Sequence, residues 1–421
     1  MTSPKEAADG RTVLVIGAGI VGVCTALYLQ REGFKVTLID RDDPGEAASF
    51  GNSGSLGTAS VPPIGMPGTL AKVPKMLFDP LHALVLPWWY LPRSWRWFLH
   101  FSRNSRRDRV EVLAEARQRL LSHTYEAFDP LFKDAGAEDL MQRVGRLEIY
   151  ESEASFADAS YGFELRRRHG VPMREMNGDE MREMEPDLGP GAVRGMLYTA
   201  VSHTVSPLRL TQVLFNHFIA SGGTFLKEAV TGFDIGPDGP RQVLTDAGGH
   251  KVDLVVLAAG VWSRELARQL GTRVLMESER GYHSVIPDPG VNLKLAVVAA
   301  DRNVAITPME DGLRLGTMAE FCGVDGRADY ERAERIYKTA TGILPGLKTE
   351  GGTRWHGPRP STPDSVPVIG RSPHHPSVLF AFGHGHLGLT MAAFTGQLIV
   401  DLAVGREPAI DLTPYRPDRF E

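Results

Sequence analysis

Four apolar residues, Val13 to Ile16, run without a polar break near the start of the chain. A run of this kind suits a strand buried on both faces, as parallel strands are. Gly17 interrupts it. An amphipathic helix follows, reaching about Arg31, and a second strand, Lys35 to Ile39, ends on Asp40. A related order returns far downstream. Val378 to Phe382 predicts an apolar strand, Gly383 to Gly388 a turn, and Leu389 to Leu402 a helix apolar on several sides. From Val378 to Val400 there is no Asp, Glu, Lys or Arg. That length would cross a bilayer, but the glycines and histidines crowding its first half fit strand, turn and helix better than a span.

Between these ends the pattern predicts helical segments from about Val110 to Ala135 and an amphipathic helix over 206–223 that stops on glycine. "TFLKEAVTGFDI" and "RQVLTDAGG" resemble a strand pair. "DLVVLAAGVWSREL", 253–266, is a strand that ends in Ala-Ala-Gly. Residues 295–323 are a run of strands, and "YERAERIYKTATGIL" is a helix. No internal repeat or low-complexity tract appears. The long gap between the first unit and the 253 strand favours a discontinuous arrangement: an α/β dinucleotide-binding domain interrupted by a sheet-rich second domain.

Composition narrows the function classes. The chain has 421 residues, 42% hydrophobic, which is enough for a large core and more than one domain. Net charge is −5, and the short basic clusters at Arg103, Arg106, Arg107 and Arg109 and at Arg166, Arg167 and Arg168 have acids nearby. They read as solvated helix faces, so no nucleic-acid partner is expected. Two distant cysteines, Cys24 and Cys322, give no disulfide or zinc framework and point to a reducing compartment. "MTSPKEAADG" has no apolar signal region, so a cytoplasmic location is expected.

Gly17, Gly19 and Gly22 form G-x-G-x-x-G between the first strand and its helix. Gly17 permits the tight turn, Gly19 lets backbone approach a pyrophosphate, and Gly22 lets the helix pack on the strand. The helix start around Ile20 and Val21 offers amides and the positive dipole end to phosphate. Asp40 can accept from ribose hydroxyls. With strand, helix, second strand and acid all in place, the motif reads as dinucleotide binding. Arg41 could instead meet a 2′-phosphate, against the charge of Asp40. There is no second glycine fingerprint for NAD(P)H. Ala259 and Gly260, with Trp262 behind them, resemble the later flavoprotein strand that touches cofactor, as does Val230; another core strand is the alternative. Ser49, Asn52, Ser53 and Gly54 could donate to phosphate and flavin, or sit in a flexible linker. The Gly383, Gly385 and Gly388 turn places free amides at a helix start, with Leu389 and Thr390 next in line. Amides there would stabilise the negative pyrimidine end of a reduced flavin, as an oxyanion hole does. His384 and His386 could line the same site. An H-x-H metal pair would need a third ligand, and none is identified, so no metal is expected.

Together "GAGIVGVCTALYLQREGFKVTLID", "PGEAASFGNSG", "ERGYH", "RPSTPDSVPVIGR" and "FGHGHLGLT" resemble the D-amino acid oxidase-like flavoprotein family over essentially the whole chain. The resemblance is nearest to its D-amino acid dehydrogenase branch and to glyphosate oxidoreductase-like proteins. It implies non-covalent FAD and oxidation of an amine beside a carboxylate, by hydride transfer to flavin and hydrolysis of the imine. Cys322 in "AEFCGVD" is a poor match to the cysteine that carries covalent flavin in some relatives. The fold expected is α/β: a Rossmann-like FAD-binding domain (11–60, 200–265 and 352–421) with a discontinuous sheet-rich substrate-binding domain (61–199 and 266–351).

An arginine would anchor the substrate carboxylate through its bidentate fork. Arg280 and Arg359 are the candidates. Arg280 could equally be a structural partner of Glu277 or Glu279, and Arg359 could contact flavin. Tyr282 and His283 could orient substrate, although alternation lets only one face of their strand meet the pocket. His356 lies in the same region. Relatives with an arginine near Met309 lack a counterpart here. This disfavours glycine or sarcosine and leaves D-amino acids, cyclic D-imino acids such as D-hydroxyproline, and N-substituted glycines. Trp88, Trp89, Tyr90, Trp95, Trp97 and Phe98 read as a packed excursion over the site or as a patch for peripheral membrane contact. The electron acceptor is oxygen or a quinone. A flavin monooxygenase or a non-catalytic flavin-binding protein is the competing reading.

Overall fold

A computed structural model describes residues 10–71, 73, 84–237 and 239–420. The N-terminal stretch read above for a signal and part of the aromatic excursion, residues 72 and 74–83, lie outside the described residues.

Among the described residues the apolar runs of the two chain ends meet in one six-stranded sheet. Its order is Thr224–Lys227, Lys35–Asp40, Thr12–Ile16, Leu254–Leu257, Val378–Phe382 and Val368–Arg371; all neighbours are parallel except the last pair. Leu254–Leu257 and Val378–Phe382 are buried at every position, which is why they carry no alternation. The helices Ile20–Glu32 and Gly388–Val404 pack together on one face. They approach closely because Gly396 lies against the Cys24 carbonyl and the Tyr28 ring, where a Cβ would sit 3.0 Å from each. The C-terminal helix is long and apolar enough to cross a membrane, yet most of that window is buried inside the protein.

The second sheet runs Trp355–Ser361, Glu277–Ile286, Gly312–Glu320, Val304–Met309, Ala296–Ala299, Arg146–Tyr150, Arg194–Tyr198, Met173–Asn177, with Leu84–Val85 beside Gly312–Glu320. One face is apolar: Leu147, Val297, Ile306 and Leu315 pack with Ile336 and Ala340 of the helix Tyr330–Ile343. The other face meets the first sheet's ligand end.

Two local readings change and one, the helical segments over 110–135, gains detail. Thr224–Lys227 does not pair with 241–249; it joins the first sheet beside Lys35–Asp40, and Val230–Gly236 pairs with Gly239–Thr245 instead. The 110–135 segment is two helices, Arg107–Leu121 and Thr124–Ala135, and His123 between them stacks on Phe394 at 4.3 Å. Both helices bury their apolar faces in the core of the first sheet. The strand Trp355–Ser361 belongs to the larger sheet although most of 352–421 builds the smaller one.

Candidate active site

The two glycine turns open on one cavity of about 990 Å³. At the first turn Gly17 has φ +110°, and a Cβ there would stand 2.5 Å from the Ala258 carbonyl oxygen. A Cβ on Gly22 would overlap the Gly17 carbonyl oxygen. Both positions therefore require glycine for backbone packing. Gly17, Gly19, Ile20 and Val21 border the cavity; Gly22 does not and serves the helix approach. No side chain caps the helix at Gly19, and Ser49 Oγ takes only the Ile20 amide, at 2.9 Å.

Asp40 borders the cavity while each of its oxygens already accepts one amide: Ala18 at 2.7 Å and Asp42 at 3.1 Å. Burial raises its carboxyl pKa, and the two amides oppose that rise. Arg41 lies over the Trp262 ring at 4.2 Å and pairs with Asp42 at 3.3 Å. Val230, Ala259, Gly260 and Trp262 border the same end.

The 45–60 loop is pinned rather than free. Arg314 Nη1 donates to the carbonyls of Phe50 (2.8 Å) and Asn52 (2.7 Å), and His283 Nδ1 reaches the Gly51 carbonyl at 3.3 Å. The Trp355 ring covers Gly51 so closely that a Cβ would overlap it. Ser49, Asn52 and Ser53 border the cavity. Gly54 does not: its φ is +77°, and a Cβ would stand 2.7 Å from the Thr204 carbonyl. Thr390 is also set back, its hydroxyl accepting from the Gly57 amide at 2.9 Å. Met309 packs its methyl end against Gly54.

At the second turn Gly383, Gly385, His386, Gly388 and Leu389 border the cavity, and no side chain caps the helix Gly388–Val404. His386 Nε2 is 2.6 Å from Glu279 Oε1; Arg359 Nη1 is 3.4 Å from the same oxygen; Ser361 Oγ donates to Oε2 at 2.6 Å. Burial works against charge on Glu279, but His386, Arg359 and Ser361 outweigh it and hold the pKa at about 2. The Arg359 guanidinium lies across Gly281, in the space a Cβ would fill. His384 also borders the cavity, but its Nε2 is 3.0 Å from Thr395 Oγ1 and burial holds its pKa at about 3. The two histidines thus have separate partners.

Residue alternation along Glu277–Ile286 sorts the remaining candidates. Glu279 and His283 point to the cavity side, where His283 stacks on Trp355 at 4.8 Å. Burial, then Arg314, depress its pKa to about 3, so the ring is neutral. Arg280 does not border the cavity. It is buried, 3.5 Å from Glu320, and donates to the Val324 and Gly326 carbonyls. Its expected partners point elsewhere: Glu277 binds Tyr90 (2.6 Å) and Arg264 (3.0 Å). Tyr282 borders the cavity but turns its hydroxyl to Glu320 at 2.6 Å; burial and that carboxylate push its pKa up to about 12. His356 stacks on Tyr282 and bonds Tyr330, away from the cavity.

The cavity therefore joins two helix starts, one beside the half-buried carboxylate of Asp40. That donor set fits a dinucleotide with an anionic ring at its far end. The family model for FAD dependent oxidoreductases matches residues 12–402. The chain belongs to this family. Its cofactor is FAD. A D-amino-acid oxidase from Bradyrhizobium diazoefficiens is 36% identical over 98% of this chain and 99% of that one. A D-amino acid dehydrogenase from Paramagnetospirillum magneticum is 32% identical over 97% and 98%. In fold the chain is similar to glycine oxidase from Geobacillus kaustophilus, with a TM-score of 0.76, 20% identity, and coverage of 97% and 99%.

Sequence reasoning missed two residues of this flavoenzyme's site. Glu279 was visible only as a neighbour of Arg280. Arg314, in "DGLRLG", is buried and borders the cavity, and among the described residues no carboxylate pairs with it. Its Nε has no hydrogen-bond partner, and burial lowers its pKa. A lone arginine in an apolar strand was the available signal.

Proposed function

We propose that this flavoenzyme oxidises the carbon–nitrogen bond of an amino or imino acid: a D-amino acid, a cyclic D-imino acid such as D-hydroxyproline, or an N-substituted glycine. FAD, held non-covalently by the Gly17–Gly22 turn, Asp40 and the 383–389 turn, supplies the acceptor for a hydrogen and its electron pair. The observation that carries the substrate reading is Arg314, a buried guanidinium on the cavity face without a carboxylate of its own. A cation left in that state attracts an anionic ligand group. Arg359 is already paired with Glu279, and Arg280 faces away. His283, held neutral, and Trp355 wall the site as a stacked pair. The imine released is hydrolysed to a keto acid or aldehyde. The full-length likeness to a D-amino-acid oxidase supports the same reading.

Electrons leave to oxygen or to a quinone. Support for peripheral attachment at the inner face of a membrane comes from the aromatic excursion, which is split. Tyr90 and Trp97 are buried with Phe321, whereas Trp88 (81% exposed), Trp89, Leu91, Trp95 and Leu99 face outward. Residues 88–107 hold five arginines and no acid. An apolar stripe flanked by cations is the composition of an interfacial helix on anionic lipid.

The test is anaerobic mixing of holoenzyme with members of each substrate class while flavin absorbance is followed. Bleaching by one class supports the reading and names the class. Absence of bleaching by all three, with FAD bound, overturns it. Readmitted air then separates oxygen from quinone by the speed of recovery.

A further inference from the structure

An amino acid in neutral water carries its nitrogen protonated. An ammonium has no lone pair to offer while its Cα–H bond is given up, so oxidation of the zwitterion needs a proton acceptor beside the nitrogen. His283 and His384 are poor acceptors, because burial makes both weakly basic, with pKa values of about 3. Tyr282 is committed to Glu320.

His386 is different. Its side chain is 42% exposed, it borders the cavity, and its Nε2 meets Glu279 Oε1 at 2.6 Å. A carboxylate can only accept, so in its neutral form the ring donates from Nε2 and keeps its lone pair on Nδ1. Among the described residues Nδ1 makes no hydrogen bond. Glu279 is itself fixed by Ser361 and Arg359, so ring orientation and tautomer are set from behind. Among the described residues the charged and titratable groups facing this ring are Glu279 on one strand, Arg359 on the next, and His384 on its own turn. Arg117 and Arg166 share with it a smaller cavity of about 200 Å³ behind the turn. Glu279 is the one carboxylate among them, placed to share the charge of a proton that reaches Nδ1, as the buried acid of a triad does.

We propose that His386, oriented by Glu279, accepts at Nδ1 the proton of the substrate's ammonium group. The inference rests on the amino acid reading above. One N–H bond of the substrate breaks, its electron pair stays on nitrogen, and a new N–H bond forms at Nδ1. No electrons change owner. The proton leaves later to water through the exposed edge of the ring.

The test uses holoenzyme and His386→Gln, with Glu279→Gln as a second variant that keeps shape and removes the orienting charge. Anaerobic flavin reduction is measured from pH 6 to 10 with whichever amino acid bleaches the wild type. His386→Gln is expected to be about 100-fold slower near pH 7 and to recover at high pH, where the substrate nitrogen is already neutral. Glu279→Gln should show a smaller loss in the same direction. A readout independent of turnover is the ¹⁵N signal of His386, assigned by its loss in His386→Gln. Saturation with 2-aminoisobutyrate, which has no α-hydrogen, should move Nδ1 to its protonated position at pH 7. A wild-type pH profile in His386→Gln, an equal loss at every pH, or an unmoved Nδ1 signal overturns the inference while leaving amino acid oxidation standing. Failure of every amino acid to bleach the wild type removes both.

Discussion

The strand Glu277–Ile286 is buried along its whole length, but its two faces have different work. Glu279 and His283 look into the cofactor cavity, where Glu279 gathers His386 and Arg359. Arg280 looks the other way and ties down the carbonyls of the 324–326 segment, and Tyr282, whose ring edges the cavity, turns its hydroxyl with Arg280 toward Glu320. Both faces carry charge and aromatic rings, so residue type does not separate them. What separates them is the partner supplied from another strand. A charged residue satisfied by fixed protein groups contributes to the fold; one left short of a partner beside a cavity is available to a ligand.

That contrast can be broken most directly at Arg280. Arg280→Met leaves Glu320 buried without its cation and should cost about 3–5 kcal/mol in urea unfolding, while folded molecules still bind FAD and are still reduced by substrate. Loss of reduction at unchanged stability would put Arg280 in the site instead. Tyr282→Phe should cost about 1.5–3 kcal/mol, the range for a hydrogen bond to a charged group, again with reduction kinetics kept. The cavity face is sharpened by pH. His283 and His384 are held near 3, so the folded protein refuses protons that unfolded imidazoles take up below about 6.5. Stability present above that pH should therefore fall as pH drops from 6.5 toward 3, by roughly 1 kcal/mol per pH unit for each ring. Glu279, held at about 2, adds a further loss below its ordinary 4.5. His384→Gln should flatten the slope between pH 6.5 and 4.5; an unchanged slope would show that His384 is not held neutral.

Legibility followed the range of the interactions. The Gly17–Gly22 turn and the 383–388 turn could be read because strand, glycine and helix lie within a few dozen residues. The helical segments over 110–135 were legible, but not the contact at their junction, where His123 stacks on Phe394 of the C-terminal helix. The aromatic excursion was read as either packed or exposed, and it is both, Trp97 turned in and Trp95 turned out. Arg280 was read evenly as a substrate anchor or as a salt-bridge partner of Glu277 or Glu279. Strand alternation sends them to the opposite side from it.

By itself the sequence determined a strand–glycine–helix turn of the dinucleotide-binding kind near its start and a glycine turn that opens a helix near its end, because the apolar run, the glycines and the following helix are adjacent in the chain. Only the tertiary structure decided which ionisable side chains meet there. Glu279 and His386 are 107 residues apart, and Arg314 reaches a loop more than 260 residues before it. Their pairing follows from sheet register and from which face of each strand is turned inward, and neither is written in any one segment.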